Sequence, residues 1–522
     1  MDSWSNFKKY FFRSDELGIS IDFSQMGLSE GFLGAMSGKI TGAYREMAAL
    51  EAGSIANTDE NRMVGHYWLR NSSIAPSPEI KSAIGIAIDK ILKFTEKVHL
   101  GQIVGRDGKF ENVLFIGIGG SALGPQLLCE SLAGNDKLNC HFIDNTDPDG
   151  IDLVLGKLAG KLGKTLVVVA SKSGSTPEPR NAMAEVSAAY EGTGYSFPRH
   201  AVAITGENSL LDRQAISQGW IERFAMWDWV GGRTSTFSAV GLLPVALQGN
   251  SLATFISGAH DMDMITRISS PQNPAMLMAL AWHLATDGIG SKDMVVIPYR
   301  DRLKSFAKYL QQIVMESLGK EKDRQGNIVR QGLAVYGNKG STDQHSFVQQ
   351  LRDGVQNFFL TVISVLEARN GNSICVDSNG MTSGDYLNGF ATGTMNALAE
   401  NGTNIIHISM DRFSARELGM LIALYERTVG FYASLINVNA YNQPGVEAGK
   451  KAAEEILVKQ RAIVAFLTKS RGKQFSIDEI SDGIKCPDKA LLFKILEHIR
   501  ANDRRVQKHQ RNEIFDATYE AV

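Results

Sequence analysis

Four segments of the 522-residue chain place titratable side chains beside glycine turns. They are Val230-Gly231-Gly232-Arg233-Thr234-Ser235, Met315-Glu316-Ser317-Leu318-Gly319-Lys320, Gly340-Ser341-Thr342-Asp343-Gln344-His345-Ser346 and Gln443-Pro444-Gly445-Val446-Glu447-Ala448-Gly449-Lys450. Brought together, Arg233, Glu316, His345 and Lys450 could move a proton next to a carbonyl. The set offers a carboxylate base, a cation for a developing oxyanion and a proton donor for a ring oxygen. Such chemistry needs neither a metal nor an organic cofactor. Taken singly each residue has a plainer reading: a surface ion pair for Arg233 or Lys450, and a structural hydrogen bond for His345.

Two further loops have the composition of anion sites. The apolar run 113–118 leads into Gly119-Gly120-Ser121 and then a helical pattern, so backbone amides would point out of a strand-to-helix turn. Glycine lets an oxyanion approach the main chain, and Ser121 adds a hydroxyl; a tight packing turn would look the same. The run 165–170 ends in Ser171-Lys172-Ser173-Gly174-Ser175-Thr176, with Pro177 at a first helical position. Four hydroxyls and one ammonium suit a phosphomonoester at a helix N-terminus, with an ordinary N-cap as the plainer alternative. No G-x-x-x-x-G-K-[ST] motif accompanies them, which disfavours a kinase. Gly117-x-Gly119-x-x-Ala122, with Asp144 after the next strand, matches a relaxed dinucleotide fingerprint and makes an NAD-dependent dehydrogenase an alternative. Pro125 and the hydroxyl loop at 171–176 argue against it.

The elements that must position these groups follow from hydrophobic pattern. Residues 1–100 read as a mostly helical accessory region. Beyond them, short apolar runs at 113–118, 141–143, 165–170 and 201–204 alternate with amphipathic segments, which predicts a parallel α/β sheet. A second set, with strands at 295–299, 332–336, 373–376 and 404–409, predicts another. The expected division is a first α/β domain at 101–285, a second at 286–470 and a helical tail at 471–522, where Ser476-Ile-Asp-Glu479 forms a capping box. Arg504, Arg505, Lys508 and Arg511 near the end read as a solvated basic face. Leu303, Phe306, Leu310, Ile313 and Val314 form an apolar stripe on one helix. Gln312 and Glu316 share one side of it, compatible with a cleft wall or with a solvated face.

Composition narrows the class. Lys plus Arg (54) nearly cancels Asp plus Glu (56), for a net charge of -2, so a nucleic-acid partner is not expected. Cys129, Cys140, Cys375 and Cys486 form no C-x-x-C pair and fit a reducing compartment. No signal peptide is evident at the start. The apolar stretch 418–438 carries Glu426 and Arg427 near its centre, which predicts a buried helix rather than a membrane span.

With these residues in hand, the chain resembles the phosphoglucose isomerase family, in order from the segment 60–70 to Lys450. The family pattern of Gly-Gly-Ser, Ser-Lys-Thr/Ser, Gly-Gly-Arg, Met-Glu-Ser-x-Gly-Lys, Gly-Gln-His and Gly-Val-Glu-x-Gly-Lys is met at 119–121, 171–173, 231–233, 315–320, 343–345 and 445–450. The resemblance implies two sugar-isomerase (SIS) α/β domains in a cytoplasmic homodimer with shared active sites, converting glucose 6-phosphate to fructose 6-phosphate through a cis-enediol(ate), without cofactor or metal. It implies that the Gly120 backbone with Ser121, Ser171, Ser173 and Thr176 holds the phosphate, with Lys172 nearby. Glu316 matches the base between C1 and C2, Arg233 the cation beside the intermediate, and His345 and Lys450 the ring-opening pair, the histidine coming from the partner subunit. Glu178 matches a carboxylate that orients the histidine, and Gln312 and Gln443 line the sugar site. Thr234, Pro444 and Asp343 depart from the family's usual aromatic, Trp and Gly. A non-catalytic SIS sugar-phosphate sensor is the other alternative, and it would need the loops but not the four chemical residues together.

Overall fold

The computed structural model describes residues 3–134, 136–502, 505–510 and 513–522. They form two compact units, residues 1–442 and 443–522, each considered by itself.

Beside two two-stranded ribbons, Val104–Gly105 with Gly108–Lys109 and Lys320–Lys322 with Ile328–Gln331, the first unit is built on two large sheets. One has five parallel strands in the spatial order Asn139–Ile143, Asn112–Ile116, Thr165–Ala170, Ala201–Thr205, Glu222–Ala225. The three central strands are buried along their whole length, as a parallel sheet with both faces covered requires. The chain sets its second strand on one side of the first and its third on the other. The order therefore reverses between Asn112–Ile116 and Thr165–Ala170. In open α/β sheets the crevice beyond the strands' carboxyl ends at such a reversal is where ligands bind. Both hydroxyl-bearing loops leave the sheet there.

The second sheet has six strands in the order Phe11–Ser14, Ile19–Asp22, Ile405–Met410, Phe358–Val365, Asp293–Pro298, Val335–Tyr336. The last four run parallel. Two expectations are corrected here. Residues 1–100 carry helices, but Phe11–Ser14 and Ile19–Asp22 form a hairpin whose second strand pairs antiparallel with Ile405–Met410. Ile19 and Ile21 become fully buried, and the hairpin covers what would be an open sheet edge. The strand expected at 373–376 is absent: Ile374 is exposed and Cys375 makes only an isolated bridge to Thr382. The buried eight-residue run Phe358–Val365 supplies the central strand instead.

Helix Ala415–Leu435 is buried nearly all round and packs on Leu252–Thr266 and Pro274–Ala285, as its sequence predicts. Among the described residues no helix is long and apolar enough to cross a membrane. Within this helix and around it lies a buried ionic cluster: Arg70 meets Asp263 and Glu426 at 3.0 Å each, and Arg427 meets Glu51 at 2.5 Å and Asp263 at 3.1 Å.

The second unit begins with helix Pro444–Lys469 and has its own small core, in which Ile463 and Leu467 join Ile480, Leu492, Leu496 and Tyr519. The expected boundary at 470/471 thus falls inside this unit. The capping box at Ser476 and Glu479 is formed, and helix Lys489–Asn502 follows. The tail is not wholly helical, because Phe475–Ser476, Thr518–Ala521 and Val506–His509 pair as an antiparallel sheet. Lys508 pairs with Glu497 at 2.7 Å, while Arg504 and Arg511 lie outside the described residues.

Candidate active site

The loop after Asn112–Ile116 folds into a short turn, Gly119–Ser121, ahead of helix Leu123–Leu132. Pro125, expected to interrupt that helix, sits in its first turn, where no intrahelical amide bond is lost. Gly119 adopts a φ of 57°, a conformation that favours glycine. At Gly120 a Cβ would overlap the Gly232 carbonyl, so the backbone of this loop lies directly on the turn that carries Arg233. Ser235 Oγ fastens the pair, donating to Gly232 O at 2.7 Å and to Gly120 O at 3.4 Å. Gln312 reaches the same loop, its Nε2 lying 3.3 Å from where a Cβ of Gly119 would stand. Gly120, Ser121, Gln312 and Arg233 are thereby brought to one place by close backbone packing.

The second loop, 171–176, leaves the neighbouring strand Thr165–Ala170. Ser171 is buried and its Oγ accepts from Gly174 N at 3.1 Å. Ser173 Oγ accepts from Ser175 N at 3.1 Å and lies 2.8 Å from Ser175 Oγ. Gly174, at a φ of 74°, passes so close to Leu211 that a Cβ would overlap it. Thr176 occupies the N-cap of helix Pro177–Gly192 yet makes no side-chain capping bond, so the ordinary N-cap reading fails there. Lys172 is engaged with the segment ahead of the Arg233 turn, its Nζ 3.3 Å from Asp228 Oδ1 and 3.4 Å from Val230 O. Burial draws this ammonium below its usual range, with Asp228 opposing.

Glu316 lies one half-turn before the end, at Leu318, of a helical stretch that the apolar stripe predicts as a regular α-helix. The α-helix Phe306–Leu310 passes instead into a π-helical segment, Gln311–Glu316. Four residues slightly overshoot one α-turn and fall just short of one π-turn, so Gln312 and Glu316 share a side either way. Both are half-buried, with the Glu316 side chain 21% exposed, which is a cleft wall rather than a solvated face.

Arg233, 7% exposed, is held by backbone carbonyls. Nη1 donates to Ala440 O at 2.6 Å and Nη2 to Asn442 O at 3.1 Å, while Nη2 also meets Glu316 Oε1 at 3.3 Å. Burial lowers the guanidinium's affinity for its proton, and Glu316 opposes that shift. A buried cation beside a half-exposed carboxylate can stabilise negative charge on a substrate oxygen while the carboxylate moves a proton. Lys320 also belongs to this cluster and escaped the sequence reading. Its Nζ donates to Glu316 O at 2.7 Å and Asn442 O at 2.9 Å. Asn442 in turn donates through Nδ2 to Asp59. Lys320 stands in the Met-Glu-Ser-x-Gly-Lys motif, and a lysine one residue past a helix-ending glycine was the available signal.

Within the first unit, His345 and Glu178 form no hydrogen bond with Arg233 or Glu316. His345 is exposed on the short turn Thr342–His345. Glu178, in the first turn of Pro177–Gly192, forms no hydrogen bond with it. Gln443 is exposed at the start of the second unit, and Lys450 lies on its helix Pro444–Lys469, with its side chain outside the described residues. The departures have structural places. Asp343 is buried and accepts from Asn338 N at 2.8 Å and Nδ2 at 3.1 Å, bracing the loop ahead of His345. Thr234 is buried with its Oγ1 on Gly231 O at 3.3 Å, and Pro444 takes the first helical position. Asp144, the ribose-binding candidate of the dehydrogenase alternative, accepts from Gln126 Nε2 at 2.8 Å.

Comparison with known proteins gives a consistent result. A family profile described as phosphoglucose isomerase matches residues 32–402 and 399–466. The chain is 52% identical to a protein named glucose-6-phosphate isomerase from Geotalea daltonii, over 99% of each. It is 50% identical to glucose-6-phosphate isomerase 1, chloroplastic, of Arabidopsis thaliana, over 96% of this chain and 83% of that one. Among solved structures, a glucose-6-phosphate isomerase from Chlamydia trachomatis superposes with a TM-score of 0.77 at 27% identity, covering 87% of this chain and 90% of the other.

Proposed function

Since the chain belongs to the phosphoglucose isomerase family, it interconverts glucose 6-phosphate and fructose 6-phosphate, and we propose that Glu316 is the base of that reaction. Neither the sensor nor the dehydrogenase has support among these relatives. The observation that carries the assignment is the Arg233–Glu316 contact, made where the glycine loop at 119–121 meets the turn at 231–233.

The substrate's phosphate sits against the hydroxyls of Ser121, Ser171, Ser173 and Thr176 and the amides of Gly120 and its neighbours, with the Pro177–Gly192 helix N-terminus behind. Lys172, engaged with Asp228, contributes charge from a distance. In the open-chain sugar Glu316 removes the proton from C2 of the aldose. The electron pair forms the C1–C2 double bond and leaves negative charge on the carbonyl oxygen, beside Arg233. Return of the proton to C1, with transfer of the O2 proton to O1, gives the ketose. Gln312 orients a hydroxyl from the glycine loop side, and Gln443 belongs to the same reading.

Ring opening falls to His345 and Lys450, with Glu178 orienting the histidine. The exposure of His345, which forms no hydrogen bond with Arg233 or Glu316, supports a homodimer in which it serves the partner's site. Two SIS domains, expected at 101–285 and 286–470, and a cytoplasmic location complete the proposal.

The test is to incubate the pure protein with fructose 6-phosphate and follow glucose 6-phosphate. With glucose 6-phosphate deuterated at C2, part of the label should appear at C1 of the product and part in solvent. Retention of the whole label without any solvent exchange would indicate hydride transfer and remove Glu316 as base.

A further inference from the structure

Lys320 stands where the π-helical segment Gln311–Glu316 gives way to strand Lys320–Lys322. A helix end leaves carbonyls without amide partners. Gly319 N takes the Met315 carbonyl at 2.8 Å, and the Lys320 ammonium takes the Glu316 carbonyl at 2.7 Å. A Cβ at Gly319 would crowd the Met315 carbonyl, at 2.7 Å, so glycine is what allows the chain to fold back this tightly. The same ammonium donates to Asn442 O at 2.9 Å, and that one carbonyl also receives Arg233 Nη2 at 3.1 Å. Arg233 Nη2 closes the circuit at Glu316 Oε1, 3.3 Å away.

Resting on the reading of Glu316 as the base, we propose that Lys320 is a positioning residue for it. Its ammonium ties the Glu316 main chain and the carbonyl shared with Arg233 into one frame, which fixes carboxylate and guanidinium relative to each other while the proton moves.

A lysine can cap a helix end from solvent, but a cap alone does not require burial beside another cation. Lys320 is 6% exposed and lies beside a second buried cation, Arg233, an arrangement that costs stability. Burial first and Arg233 second draw the ammonium down to about 8, with Glu316 and Asp59, the acidic groups facing it, opposing. Between about 8 and the ordinary lysine range the folded state therefore binds fewer protons than the unfolded chain, so this group's contribution to stability rises with pH. Positioning has the opposite sign, because the charge that strengthens both contacts is lost over the same window and the neutral amine holds the two carbonyls more weakly.

The experiment compares the intact protein with Lys320→Met, Lys320→Arg and Glu316→Gln, measuring steady-state rates on fructose 6-phosphate from about pH 6 to about pH 10 alongside urea unfolding. A base displaced by a fraction of an ångström to an ångström loses up to about 10²-fold in rate, so Lys320→Met should drop kcat by about that factor with KM little changed. The intact protein's kcat should fall above about pH 8, while its stability relative to Lys320→Met should rise over the same range. Lys320→Arg, whose charge does not titrate in this range, should recover part of the rate and move the alkaline limb up. Near-normal kcat in Lys320→Met, or an unmoved limb in Lys320→Arg, with Glu316→Gln inactive, overturns the positioning role alone. Near-normal kcat in Glu316→Gln overturns the base assignment itself. If Lys320→Met does not fold, the limb of Lys320→Arg decides.

Discussion

The Arg233 guanidinium meets the Glu316 carboxylate through one nitrogen only, Nη2 at 3.3 Å from Oε1, while Nη1 is committed to the Ala440 carbonyl at 2.6 Å. A two-pronged ion pair would engage both carboxylate oxygens and hold Glu316 in its ionised form. The single long contact leaves the second oxygen open, and the backbone carbonyls hold the guanidinium in place whether or not Glu316 carries a proton. An arginine fixed in this way can face an oxyanion throughout the reaction.

Glu316→Gln keeps the shape of the side chain and removes its basicity. A positioned general base contributes about 10² to 10⁴ in rate, so kcat should fall by at least that range while sugar-phosphate affinity stays near normal. Steady-state kinetics with isothermal titration of a substrate analogue checks both halves.

Ser171→Ala and Thr176→Ala should act on binding. Contacts to the phosphate are shared by ground and transition states, so KM should rise and kcat change little. Loss of one such charge-assisted hydrogen bond is worth about 1.5 to 3 kcal/mol, roughly tenfold or more in KM. An unchanged KM in both variants would dissociate the 171–176 loop from the phosphate.

Gly120→Ala tests the junction between loop and turn. The added methyl must displace the Gly232 carbonyl and with it Arg233, so kcat/KM should drop by about 10²-fold. Overpacking of this kind costs about 1 to 3 kcal/mol of stability, read from the urea midpoint.

If His345 serves a neighbouring subunit, two inactive variants should complement. Mixed Glu316→Gln and His345→Ala chains, unfolded and refolded together, should regain activity that neither shows alone, because some hybrids carry one intact site. Hybrids confirmed by native mass spectrometry that stay inactive would assign His345 to its own chain.

The buried cluster around Arg70 sets a pH dependence of stability. Burial pushes the Glu426 carboxyl up to about 7, against the pull of Arg70 at 3.0 Å. The folded protein thus holds this proton more firmly than the unfolded chain. Between the ordinary carboxylate range and about pH 7 the group's contribution to stability falls as pH rises. Glu426→Gln should remove that component, seen as a shallower slope of urea midpoints against pH.

Much of this protein was written in local sequence. Four strands of the five-stranded sheet, the buried helix Ala415–Leu435 and the capping box at Ser476 follow from apolar runs, hydroxyls and spacing, because strand and helix periods and caps act over a few residues, whereas the edge strand Glu222–Ala225, with one buried residue, carries no such run. Ordered motifs likewise named Arg233 and Glu316 without contact information. Tertiary structure decided what depends on distant chain. The N-terminal hairpin forms because an edge strand 385 to 391 residues away needs a partner, and Phe358–Val365 displaces 373–376 because only the former lies between two strands. Lys320 joined the site for the same reason: its partners are a carbonyl four residues back and another at Asn442, and no local pattern records that the second would arrive. The π-turn under Glu316 is equally invisible to periodicity, since four residues complete nearly one turn in both helices and only the packed backbone distinguishes them.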